Sequence, residues 1–129
     1  MIEPEFLTLD DVLLIHDEQI EAYGGIQGIR DKGLLESAVM MPQASFGGEY
    51  LHKDLFEMAA AYAFHIAENQ PFLDGNKRTA LVSALVFLDI NGFEILDEGM
   101  KLYEAMIAIA NKEMDKSDLA ELLKNLSEQ

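Results

Sequence analysis

The chain contains no cysteine among its 129 residues. There is therefore no disulfide to staple the fold and no thiol to act as a nucleophile. A reducing compartment is compatible with that absence, and a cytoplasmic location is the expectation. Basic residues are scarce, with nine Lys and Arg against 24 Asp and Glu and a formal net charge of −15. Binding to nucleic acid draws on several phosphate contacts from Lys and Arg, so no direct nucleic-acid binding is expected. No apolar run is long enough to cross a bilayer, and residues 2–5 (IEPE) are too acidic for a signal peptide. No membrane role is expected either. Repeats, low-complexity segments and linkers are also missing, so residues 1–129 read as a single domain.

Half the residues are apolar, enough for one good core. Their spacing is helical. Thr8 and Asp11 form a capping-box pattern, with Leu7 and Val12 as its staple, before a helix ending at about Tyr23 and Gly24-Gly25. Its imperfect stripe (Val12, Ile15, Gln19, Ala22) leaves His16 as a surface or packing residue. A second helix runs from Asp31 to about Met40, where Pro42 forbids continuation. Arg30, just before it, reads as a surface cation, with reach to an anion site as the rival. Gly47-Gly48 suits a two-residue hairpin turn within residues 44–52, and an ordinary loop fits equally well. A third helix starts after Asp54 and presents Leu55, Met58, Ala59, Tyr62, Ala63 and Ile66 on one face. Two further helices are expected. One spans Asp97 to about Asn111, with Leu102, Ala105, Met106, Ile109 and Ala110 inward. The other opens at residues 115–117 with Ser117 as its cap.

The densest information lies in residues 70–78, QPFLDGNKR. They lead into residues 79–88, TALVSALVFL, where Thr79 and Ser83 are the only polar side chains. A helix that is apolar on nearly every side belongs at the centre of a domain, here from about 76 to 91. The expected fold is all-α, a bundle around that central helix. Its amino end would offer free N–H groups and the positive end of the helix dipole. Gly75 lets the backbone approach a ligand closely, and Asn76 is a good cap. Lys77 and Arg78 are unfavourable in a first turn unless an anion neutralises them. Asp74 could hold a divalent metal riding on phosphate oxygens. Phe72 reads as the anchor that pins the loop to the core. These residues point to a phosphate site.

The order Pro-Phe-x-Asp-Gly-Asn-Lys-Arg resembles the signature of the Fic/Doc superfamily, His-Pro-Phe-x-Asp/Glu-Gly-Asn-Gly/Lys-Arg, at eight of nine positions counting the free one. The departure is Gln70, where the signature has its general-base His. A neutral amide cannot take up the proton in that way. His65, five residues earlier, reads as a packed helix histidine, with a substitute base as the rival. Leu81 stands where Fic members carry a second Arg, and Asn76–Ala80 (NKRTA) is closer to Doc members. Residues 14–17 (LIHD), 23–25 (YGG) and 33–38 (GLLESA) are also similar to Doc.

The resemblance implies a toxin of a toxin–antitoxin pair. Such a protein moves a phosphate from ATP or another nucleoside triphosphate, with Mg²⁺, to a protein hydroxyl, with elongation factor Tu the implied target. AMP transfer, or a nucleotide- and antitoxin-binding module with little catalysis, is the alternative. By position, Asp74 would hold Mg²⁺, Gly75 and Asn76 would donate to phosphate, and Lys77 and Arg78 would neutralise charge. Gln70 would sit in the base position. The flap near 44–52 would receive the target as an added strand. Ser117 and Glu121 fit part of the family's inhibitory helix, but Leu122 replaces its Gly or Asn. A separate, Phd-like antitoxin is therefore the expected partner.

Overall fold

The computed structural model describes residues 3–127. Six helices are present: α1 (Leu9–Tyr23), α2 (Lys32–Met40), α3 (Leu55–Asn69), α4 (Asn76–Ile90), α5 (Lys101–Ala110) and α6 (Lys116–Leu126). A single turn of 3₁₀ helix, Met41–Gln43, carries Pro42 after α2. Strands β1 (Ser45–Phe46) and β2 (Glu49–Tyr50) pair antiparallel, Ser45 opposite Tyr50 and Phe46 opposite Glu49. The architecture is the expected all-α bundle with a small hairpin.

Local chemistry explains most boundaries. Thr8 caps α1 through the expected box with Asp11, and Asp31 and Asp54 cap α2 and α3. Each of these side chains accepts an N–H that the helix cannot satisfy itself. The hairpin forms because Gly47 and Gly48 both take positive φ, 62° and 84°, as a two-residue turn of this hand requires. Between the strands and α1, the hydroxyl of buried Tyr62 accepts a hydrogen bond from the Leu7 N–H at 2.8 Å. Burial pushes that hydroxyl's pKa up to about 12, so it stays protonated.

The central helix is α3 rather than the expected α4: it packs on α2, α5 and α6 and most extensively on α4. Every residue from 79 to 88 is buried or half-buried. Ala80 and Ala84 of α4 meet a helix that carries Ala59, Ala60, Ala61 and Ala63, and all six are fully buried. Small side chains let the two axes approach. Thr79 and Ser83, one turn apart, also lie on the buried side, and their hydroxyls find no partner among the described residues. Phe87 and Leu88 fill the space toward Tyr62 and Phe6.

Expectations for three helices need correction. The stripe of α1 is Val12, Ile15, His16 and Ile20, so His16 is buried and Gln19 and Ala22 are not. The helix α5 begins at Lys101, because Asp97 caps from outside by accepting the N–H groups of Lys101 and Leu102, both at 2.8 Å. Ala110 there is exposed. Asp115, not Ser117, caps α6, in a reciprocal box with Asp118. His65 faces Lys116 of α6, whose ammonium donates to its Nε2 at 3.0 Å. It is the packed helix histidine expected, it does not line the cleft beside Gln70, and the rival reading as a substitute base falls.

Burial, reinforced by Lys116 and His52, pushes the His65 imidazole down to about 4. The unfolded chain therefore binds a proton at His65 near the usual histidine range while the folded chain does not. The stability this holds is complete above about pH 6.5 and drains away as pH falls toward about 4. We expect His65→Asn to lose less melting temperature between pH 7 and pH 5 than the parent chain. Parallel curves by circular dichroism would remove the linkage.

Candidate functional site

The loop between α3 and α4 is built around Phe72, which is buried. The His16 ring of α1 stacks on it, with centroids 3.8 Å apart and planes 5° from parallel. His16 Nε2 also donates to the Asp74 carbonyl at 2.9 Å. One histidine thus anchors both the aromatic pin and the residue two positions later. From the other side, the Asn76 amide closes a ring on the loop. Its Oδ1 accepts the Phe72 N–H at 2.9 Å and its Nδ2 donates to the Phe72 carbonyl at 3.0 Å.

That ring changes the expected cap. Asn76 is the first residue of α4, and Gly75 is the cap, left-handed at φ 76°. Gly75 has no side chain to offer, so α4 starts without a side-chain cap. The N–H groups of Asn76, Lys77 and Arg78 take no partner among the described residues. Such an end carries about half a positive charge. Asn76 therefore adds its backbone N–H to this open end and commits its amide to the loop.

The Asp74 carboxylate is held in place. One oxygen accepts the Gly75 N–H at 2.9 Å, the other the Ile26 N–H at 3.2 Å. A strap formed by residues 24–31 crosses here. A Cβ at Gly25, whose φ is +129°, would stand 2.8 Å from the Asp74 carboxylate and 2.9 Å from Ile20. The strap continues along the loop. Leu73 donates to Gly28, Ile29 bridges Phe72, and the N–H groups of Arg30 and Asp31 share the Pro71 carbonyl. Arg30 is an exposed cation, as expected, and does not line the cleft. Its guanidinium donates to the carbonyls of Asn69 at 2.7 Å and Gln70 at 2.6 Å. Gln70 itself is left-handed, at φ 46° and ψ 57°.

Gln70, Asp74, Gly75, Asn76, Lys77 and Arg78 all line one cleft of about 560 Å³, with Phe72 beneath it. Lys77 is exposed, and neither it nor Arg78 has a carboxylate partner among the described residues. Arg78 also holds the strap, donating to the Gly24 carbonyl at 2.9 Å and lying 5.5 Å from the Tyr23 ring centroid. Its Nε is buried and unpartnered among the described residues. No cluster of three metal-ligating side chains exists among the described residues, and the cleft's other carboxylate, Glu68, pairs with Lys112. One carboxylate, that of Asp74, fits a Mg²⁺ that shares phosphate oxygens and keeps its waters, not a metal caged by protein.

The opposite wall went unseen in the sequence. It is formed by Leu81 of α4, by Tyr103, Met106 and Ile107 of α5, and by Lys112, which pairs with Glu68. Tyr103 and Ile107 lie four residues apart on a face of α5 that no motif marks. His16, Tyr23 and Gly24 were missed for a related reason. Their roles depend on a loop some fifty residues further along the chain.

A model of the Fic/DOC family matches residues 6–88, from the start of α1 through nearly all of α4. The chain is 37% identical over 120 residues to a protein of Escherichia phage P1 named protein kinase doc, covering 93% of this chain and 94% of that one. It is 42% identical over 91 residues to a Mycolicibacterium smegmatis protein named toxin Doc, covering 70% of this chain and 68% of that one. The loop, the strap and nearly all of α4 lie inside the matched region, and α5 lies outside it. This chain belongs to the Fic/DOC family.

Proposed function

We propose that the chain is a Doc-type toxin that transfers phosphate from a nucleoside triphosphate to a hydroxyl of a protein, slowly, because Gln70 occupies the base position. The observation that carries this reading is the open amino end of α4. Three N–H groups and the exposed ammonium of Lys77, all unpartnered among the described residues, meet at one cleft that Arg78 also lines. A triphosphate is an anion that N–H donors and a cation at one helix end would hold. Bound Mg²⁺ would neutralise charge on the transferred group, with Asp74 as its protein ligand. Phosphoryl transfer rests mostly on positioning and charge stabilisation, and those groups are present here. The Gln70 amide can orient a hydroxyl but cannot accept its proton. The name of the phage P1 relative, a protein kinase, favours phosphate over AMP as the transferred group.

The target, in this reading, is a translation factor such as elongation factor Tu. The exposed Ser45–Phe46 edge offers it backbone groups for strand addition. A Phd-like antitoxin acts in trans. Asp115 caps α6 and Glu121 is exposed, which leaves the Ser117–Glu121 resemblance as ordinary helix chemistry. Gln70 also favours a second reading, a module that binds nucleotide and antitoxin and catalyses little.

Labelled ATP with purified elongation factor Tu separates these readings. Slow transfer from the γ position is expected, and Gln70→His should raise the rate about 10²–10⁴-fold. An unchanged rate would remove the base assignment, label from the α position would mean AMP transfer, and bound but untransferred ATP would leave the binding module. Lys77→Ala should weaken ATP binding about tenfold, the worth of one charge-assisted hydrogen bond. Lys77 is the cleaner probe because Arg78 also holds Gly24. Equal affinity by calorimetry would remove the phosphate site.

A further inference from the structure

We infer that Arg30 is a positioning residue of the cleft: its guanidinium, bonded to the carbonyls of Asn69 and Gln70, fixes the left-handed backbone that turns the side chain of residue 70 toward the cleft. The inference rests on the reading of position 70 as the base position. A residue with a side chain seldom adopts φ 46°, and one that does needs its surroundings to hold it. The neighbours of Gln70 are fixed on both sides. Its own N–H closes the last turn of α3 on Ile66, and the next residue, Pro71, accepts two N–H groups from the strap. At residues 69 and 70 the carbonyls are held by Arg30, while the Asn69 side chain donates to the Leu34 carbonyl at 3.0 Å. Two donors of one planar group meet two successive carbonyls, at 2.7 Å and 2.6 Å. They lie at the carboxyl end of a 15-residue helix, where free carbonyls and the negative end of the dipole attract a cation.

No carboxylate competes for that cation among the described residues, because none forms an ion pair with Arg30. Its place is set independently. The adjacent N–H groups of residues 30 and 31 are bonded to Pro71, and Asp31 caps α2. The guanidinium therefore arrives from a fixed backbone. Arg30 does not line the cleft, so it acts on what happens there only through residue 70. Without it, φ at residue 70 relaxes to negative values and the side chain leaves its aim.

The test uses the full chain carrying Gln70→His, alone and with Arg30→Ala or Arg30→Lys. A strong nuclear Overhauser effect between the amide proton of residue 70 and its own Hα reports positive φ. We expect it to be strong in the Gln70→His chain, lost in Arg30→Ala and partly kept in Arg30→Lys. At saturating ATP, transfer to the target should fall by up to about 10²-fold with Arg30→Ala, and the Lys variant should recover part of it. The ATP dissociation constant should stay within about twofold of the Gln70→His chain, since Arg30 touches no phosphate donor. An unchanged Overhauser effect in folded Arg30→Ala would overturn the proposal. So would a loss of ATP affinity equal to the loss of rate, which would make Arg30 a general structural residue. If no variant transfers phosphate, the proposed function fails and the Overhauser effect still decides the role of Arg30. Should Arg30→Ala fail to fold, Arg30→Gln carries the same readouts.

Discussion

The close approach of α3 and α4 is the constraint on which the rest depends. Six alanines, fully buried on these two helices, let the axes come together without large side chains between them. The larger residues Tyr62, Phe87 and Leu88 then fill the space around the contact, at the density protein interiors require. An interior helix has no freedom to slide, so its first turn stands at a fixed place at the surface. The same packing explains why Thr79 and Ser83 are tolerated. A small hydroxyl costs less at such a contact than a side chain that would force the helices apart.

From that fixed end the cleft is assembled by contacts far apart in sequence. The turn between α3 and α4 is too short to hold itself. It is held by His16 of α1, by the strap of residues 24–31 and by the Asn76 amide. The atoms involved are mostly backbone. Carbonyls of Asn69, Gln70, Pro71, Phe72 and Asp74 all accept bonds from outside their own helix or turn, or from the Asn76 side chain. The loop's shape is thus specified by partners, while its side chains Gln70, Asp74 and Lys77 remain at the cleft.

Local signals made much of this legible. Capping residues at Thr8 and Asp54, paired glycines at 47 and 48, and helical spacing in α3 each depend on a few neighbouring residues. The site residues 70–78 were legible because their order is unusual. What escaped was non-local. Nothing near Arg30 says that it meets the end of a helix 39 residues away, and nothing near His16 says that it stacks on Phe72. The misplaced caps share one cause. Asn76 and Ser117 are good cap types, but a neighbour in a better geometry took each role, Gly75 because Asn76 was bound to Phe72 and Asp115 because Asp118 completed its box.

The contact between Gly25 and Asp74 bears on how such a chain can drift. No methyl group fits at position 25 while the carboxylate stays where it is, and the backbone there suits only glycine. The carboxylate, for its part, is tethered to the next residue of the strap. Neither position can change alone without disturbing the other. Lineages descending from this chain should therefore keep both residues or replace them together, and a sequence carrying only one of the pair would have rebuilt this corner of the molecule.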